Sequence, residues 1–184
     1  ALELHAAIEF GNRVVALIAI VLTLTAAVSA RRVRGLPRSV SVLALVVALG
    51  TIAQIPLGGI TVIVDLHPLA VMSHFLLALL VLALAVLVAL EARSFDVGEG
   101  SSAIPRPLAW LSLALLPVAL ATIVTGAFVT AAGPHSGGEN IRRLGNLQDA
   151  IYVHIRASAV FGVGFILLIL LLARLRRHAR SEFL

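Results

Sequence analysis

Cysteine is absent from the 184-residue chain, and that absence removes a large part of protein redox and metal chemistry. Without thiols there is no disulfide framework, no thiolate metal site, no cysteine-held iron–sulfur cluster and no C-x-x-C-H attachment sequence. Any metal must be held by histidine or carboxylate, or arrive in a cofactor that brings ligands of its own. Lysine is absent as well, so the net charge of +5 rests on 14 arginines against the acids. Charge of either sign is scarce: 12% of residues are charged and 60% are hydrophobic, with a mean hydropathy of +1.09. A soluble domain carries about 25% charged residues, because its surface faces water. Half that share leaves too little polar surface to cover a water-soluble globule, so the remaining solvent is lipid.

Five apolar stretches are long enough to cross a bilayer, at about 8–30, 39–64, 69–90, 107–132 and 150–173. Crossing about 30 Å of hydrocarbon takes roughly 20 helical residues. Backbone groups cannot be left unpaired in lipid, so each stretch is expected to be helical. The expectation is an all-α, polytopic transmembrane helical bundle of about five helices. Residues 1–13 hold Glu3, His5, Glu9 and Arg13, so the pattern of a cleavable signal is not expected there.

The arginines sit at the ends of these runs, which argues for membrane topology rather than for binding nucleic acid. Arg31, Arg32, Arg34 and Arg38 crowd the first connection, and Arg174, Arg176, Arg177 and Arg180 crowd the tail. Arg93 and Arg106 lie in a third segment on the same side, diluted by acids. The positive-inside bias puts these segments in the cytoplasm of a bacterial plasma membrane, with the N-terminus outside and the C-terminus inside. Arg142 and Arg143 in the outer 133–149 loop run against the bias but are outnumbered.

Polar residues inside apolar spans are costly and are therefore functional candidates. His5, Glu9 and Asn12 share one face of the first span by their spacing, with Arg13 beside them. Two readings stand for this stretch: a site, or a Glu9–Arg13 pair that neutralises itself at the interface. The third span carries His74 among Val71, Met72, Phe75 and Leu76. A neutral imidazole there is either a metal or haem-iron ligand or a hydrogen-bonded packing residue. The fifth span brings Tyr152, His154 and Arg156 to its outer end, after a Gly-rich segment containing His135. These histidines gather toward the outer side. A flat, apolar porphyrin between helices suits them: it needs axial imidazoles, and its propionates attract arginines such as Arg13 and Arg156. Spacing alone does not separate haem from another metal or from a buried polar network. Pro56 with Gly58 and Gly59, and Pro117, interrupt the second and fourth spans, as packing kinks or as room for a bulky ligand.

Several segments together resemble one family, the haem A synthases. Glu9-Phe-Gly-Asn-Arg13 resembles the family's E-x-x-H-R signature in an actinobacterial-like form. Gln54…Leu57-Gly-Gly-Ile-Thr-Val resembles the end of its third helix, and Val71-Met-Ser-His74-Phe-Leu the histidine motif of its fourth. Thr125-Gly-Ala-Phe-Val-Thr-Ala-Ala-Gly-Pro-His135-Ser-Gly is similar to its fifth helix and outer loop. The resemblance implies that the chain spans helices two to six of an eight-helix, two-half protein. A faint internal match, Ala7-Ile8…Arg13 with Ala150-Ile151…Arg156, agrees with a two-half pseudo-repeat.

By that resemblance, residues 1–92 are three helices of a substrate-haem half, 93–106 a cytoplasmic linker, and 107–184 two helices of a cofactor-haem half. It implies hydroxylation of the C8 methyl of haem O to make haem A for cytochrome c oxidase, with haem b as cofactor. The implied partners are membrane lipid, the haem substrate, haem O synthase or cytochrome oxidase assembly proteins, and an electron donor that the sequence does not identify. Carried over, Glu9 is the catalytic carboxylate, and His74 and His154 are iron ligands in the two halves. Asn12 stands where the family has its first-half histidine, with His5 two turns earlier, and the second-half histidine aligns with His154 or with Arg156. A b-type electron-transfer protein and a non-catalytic membrane subunit are the alternative readings.

Overall fold

The computed structural model describes residues 2–98, 105–134 and 141–181. Among them the chain is all-α: α1 (Leu2–Arg32), α2 (Arg38–Ile63), α3 (Pro68–Val97), α4 (Arg106–Ala132) and α5 (Leu147–Ser181). All five are long and apolar enough to cross a membrane, and even the shortest, α2, has 26 residues. The helices overrun the apolar stretches. α3 continues through Glu91, Arg93 and Asp96 to Val97, so the first part of the 93–106 segment is helical. α5 begins at Leu147, ahead of the apolar run. Hydropathy marks where hydrocarbon ends, whereas backbone hydrogen bonding continues into the polar interface.

The buried residues invert the pattern of a water-soluble bundle. Ala27, Ala44, Ala48, Ala127, Ala131, Ala132 and Ala150 are buried, while Val21, Leu24, Leu49, Leu82, Leu120 and Leu170 are exposed. In lipid a leucine gains little by turning inward, and helices associate through small residues that let their backbones approach.

The residues form two compact units, Ala1–Ile63 with Ser73–Gly100, and Val64–Met72 with Ser101–Leu184. In the first, Ala27 of α1 packs on Ala44 and Ala48 of α2, flanked by Ala30 and Val88. The Ser41 hydroxyl donates across the same seam to the Ala30 carbonyl at 3.0 Å. Gly50 brings α2 so close to α3 that a Cβ there would stand 2.7 Å from Val81 Cγ2. In the second unit Gly164 of α5 does the same against Leu115 Cδ2 of α4, at 2.5 Å. α5 starts on Asn146, whose Oδ1 accepts from the backbone N–H groups of Gln148 at 2.8 Å and Asp149 at 3.4 Å. That N-cap satisfies donors the first helical turn leaves free.

Pro56 lies inside α2 and Pro117 inside α4, each removing one backbone donor from its helix. Both helices run on through their prolines, and just beyond Pro56 the Thr61 hydroxyl donates to the Gly58 carbonyl at 2.6 Å.

Candidate functional site

His74 lies just under two helical turns beyond Pro68 at the start of α3. Its ring rests against Gly58 of α2, where a Cβ would stand 3.3 Å from Cε1. Nδ1 of His74 is buried without a hydrogen-bond partner, and so are both amide atoms of Gln54, one turn before Gly58 on α2. Buried polar atoms are normally paired, and each unpaired one needs a reason. His74 thus rests on α2 one turn beyond Gln54, and both carry buried polar atoms that a polar ligand or water would satisfy.

His154 lies two turns beyond Leu147 at the start of α5. Its ring rests on Gly126 of α4, where a Cβ would stand 3.0 Å from Cε1. Here the polar atoms are engaged. Thr125 Oγ1 is 3.2 Å from Nδ1, and Ser158 Oγ is 3.5 Å from Nε2. Each unit therefore seats one half-buried histidine on a glycine of a neighbouring helix. In each case the glycine is near the end of one helix and the histidine near the start of the next.

The remaining candidates are placed differently. Glu9, Asn12 and Arg13 lie on the exposed first half of α1. Arg13 forms an ion pair with Glu9, as the i, i+4 spacing suggests. No hydrogen bond or ion pair among the described residues joins Glu9, Asn12 or Arg13 to His74. Arg156 turns away from His154: its guanidinium stacks 3.1 Å above the Tyr152 ring centroid and donates to the Tyr152 carbonyl at 3.1 Å. Both arginines thus reach back one turn on their own helices. The His5 side chain and all of His135 lie outside the described residues. His67 serves the start of α3, its Nδ1 accepting from the Leu69 N–H at 3.3 Å.

Among the described residues no three of His, Cys, Asp or Glu gather to hold a metal ion. Among the described residues, one imidazole in each unit is seated on a glycine of a neighbouring helix, His74 and His154. That suits a haem, whose iron arrives with four porphyrin nitrogens and asks the protein only for axial ligands. The seats suit it too, since glycine under each ring keeps the helix backbone close to the imidazole, and His74 Nδ1 is not engaged by any hydrogen bond. A cavity of about 560 Å3 lies elsewhere in the first unit, near the Arg31–Arg38 end of α1 and α2. Among the described residues that line it, Asp96 is the only titratable one.

Two of these groups are visible in sequence only in part. Ser158, four residues after His154, is a helical neighbour by spacing. Nothing in one dimension pairs Thr125 with His154, 29 residues away.

Neither curated proteins nor solved structures give a match to the chain. The sequence pattern that defines the COX15-CtaA family, described as cytochrome oxidase assembly protein, matches residues 3–135. That span takes in all but the first residue of α1, the whole of α2, α3 and α4, and stops short of α5.

Proposed function

Because the chain belongs to the COX15-CtaA family of cytochrome oxidase assembly proteins, we propose that it acts in haem A synthesis, hydroxylating the C8 methyl of haem O. The observation that carries this reading is the repeated seat, one imidazole on one glycine in each unit. His74 would hold the iron of the substrate haem, and His154 that of a haem b cofactor. Bound haem supplies the redox chemistry that activates the methyl group.

Hydroxylation of a methyl group breaks a C–H bond, and the proton released needs a base. Glu9 is the carboxylate available for that task, with Arg13 held beside it. Arg13 and Arg156 are the cations for propionates, each breaking its present contact, with Glu9 or Tyr152, to reach them. His5 or Asn12 would complete the first site on α1. In this reading the Arg31–Arg38 connection and the tail face the cytoplasm.

The test is a reduced-minus-oxidised spectrum with pyridine haemochrome analysis on the detergent-purified chain. Haem that is lost in His74→Ala or His154→Ala supports the reading. Glu9→Gln should keep haem but stop conversion of haem O, and full conversion by that variant removes the role of Glu9. Folded protein without haem, expressed with haem in excess, overturns the reading and favours a non-catalytic membrane subunit.

A further inference from the structure

A hydroxyl carries one proton, and the position of the Thr125 proton determines which nitrogen of His154 is free. Thr125 Oγ1 lies 2.7 Å from the Ala121 carbonyl, a short hydrogen bond that its proton makes. The same oxygen is 3.2 Å from His154 Nδ1. With its proton committed to Ala121, the Thr125 oxygen has only lone pairs to offer, so Nδ1 must carry the hydrogen and donate. A neutral imidazole protonated at Nδ1 has its free lone pair on Nε2. The Ser158 hydroxyl, 3.5 Å from Nε2, is then placed to donate weakly to that lone pair.

The opposite tautomer makes fewer contacts. Nε2–H would donate to Ser158 over the long distance, and Thr125 would have to turn its proton to Nδ1, giving up the Ala121 carbonyl. The first arrangement keeps the short bond and adds the second. Gly126 under Cε1 limits how far the ring can shift to avoid this choice. His74 has no such device, because its Nδ1 is buried without a partner.

We propose that Thr125 is a positioning residue for His154, accepting from Nδ1 and thereby presenting the Nε2 lone pair, behind the Ser158 hydroxyl, as a ligand for haem iron. This rests on the haem reading given above. A hydrogen bond to the far nitrogen of a ligating histidine fixes its orientation and raises its basicity, and loss of such a partner costs about 10–100-fold in affinity. Ser158 is the group that iron displaces, at little cost, since its bond to Nε2 is long.

The test compares Thr125→Val, which keeps the shape and removes the hydroxyl, with Thr125→Ser, which keeps the hydroxyl. Each full-length chain is 15N-histidine labelled, with His154→Ala identifying the His154 signals, and is titrated with haem b. Wild type and Thr125→Ser should show His154 protonated at Nδ1 before haem is added. Thr125→Val should lose that preference, bind haem about 10–100-fold more weakly, and shift the reduction potential upward as the ligand becomes less basic. A Thr125→Val chain with unchanged tautomer and affinity overturns the proposal, as does a Thr125→Ser chain as weak as Thr125→Val. A His154→Ala chain that binds as much haem per chain as wild type overturns the haem reading of this unit, because the His74 seat accounts for only part of it. Loss in His154→Ala beside an unaffected Thr125→Val overturns the Thr125 role alone.

Discussion

Gly126 lies beneath His154 so closely that a Cβ added there would stand 3.0 Å from Cε1 of the ring. Gly58 stands to His74 in the same way, at 3.3 Å. The two distances differ by little, but they fall on the steep repulsive side of a carbon–carbon contact, where tenths of an ångström matter.

Alanine at the two positions should therefore have unequal effects. Gly126→Ala must push the His154 ring by a few tenths of an ångström and stretch the 3.2 Å contact of Nδ1 with Thr125. We expect a cost of about 1–3 kcal/mol from overpacking, together with weaker haem binding. Gly58→Ala should be milder, because its contact is longer and His74 Nδ1 has no bond to lose. Thermal unfolding and haem titration of both variants check the order. Equal effects would mean that the glycines only allow helices to approach.

Gln54 separates stability from binding. Its amide is buried with no partner, and an unsatisfied buried group costs about 1–3 kcal/mol. Gln54→Leu should leave the haem-free protein as stable as wild type or more so. If the amide serves a ligand in the α2–α3 seam, the same change should weaken haem binding at His74. Thermal unfolding without haem and titration with it give the two readings. A variant that is both less stable and unchanged in haem binding would make Gln54 a packing residue.

The five spans were legible because lipid imposes a single rule along some twenty residues, and no tertiary partner is needed to apply it. Helix ends were less so. Glu91 and Asp96 end the apolar run of α3 but not its hydrogen bonding, which reaches Val97. At the site, His74 and His154 stand out in sequence because imidazoles are rare in apolar runs. Two residues turn a helix by about 200°, so the sequence shows that His154 and Arg156 face different sides but not which of them faces α4. In the structure His154 faces α4, while Arg156 is exposed on Tyr152. The groups that seat the rings were hidden for another reason: Gly126 and Thr125 act across a helix–helix contact, and glycine leaves no chemical trace of what lies above it.

Asn146 tests how far the start of α5 governs the position of His154. Its side chain caps the helix two turns before the imidazole, accepting from Gln148 and Asp149. Asn146→Ala should cost about 1 kcal/mol, and Asn146→Asp should recover most of it. Chemical denaturation of the purified chain reads the effect. If the first turn frays into the ring's position, haem affinity at His154 should fall in parallel with stability, and Asn146→Asp should restore both.

The absence of cysteine makes the membrane orientation directly measurable, since any thiol introduced is the only one present. Arg34 lies in the connection between α1 and α2 and is exposed, and Arg142 lies in the segment before α5. With α1 to α5 each crossing once, these two positions fall on opposite faces. The first belongs with the arginine-rich segments that the positive-inside bias keeps in the cytoplasm. Arg142→Cys should react with a membrane-impermeant maleimide on intact cells, and Arg34→Cys only after the membrane is opened. The reverse pattern would put His74 and His154 near the cytoplasmic face, where a haem made inside the cell would reach them without crossing the bilayer. Labelling of both positions from outside would remove one of the five crossings.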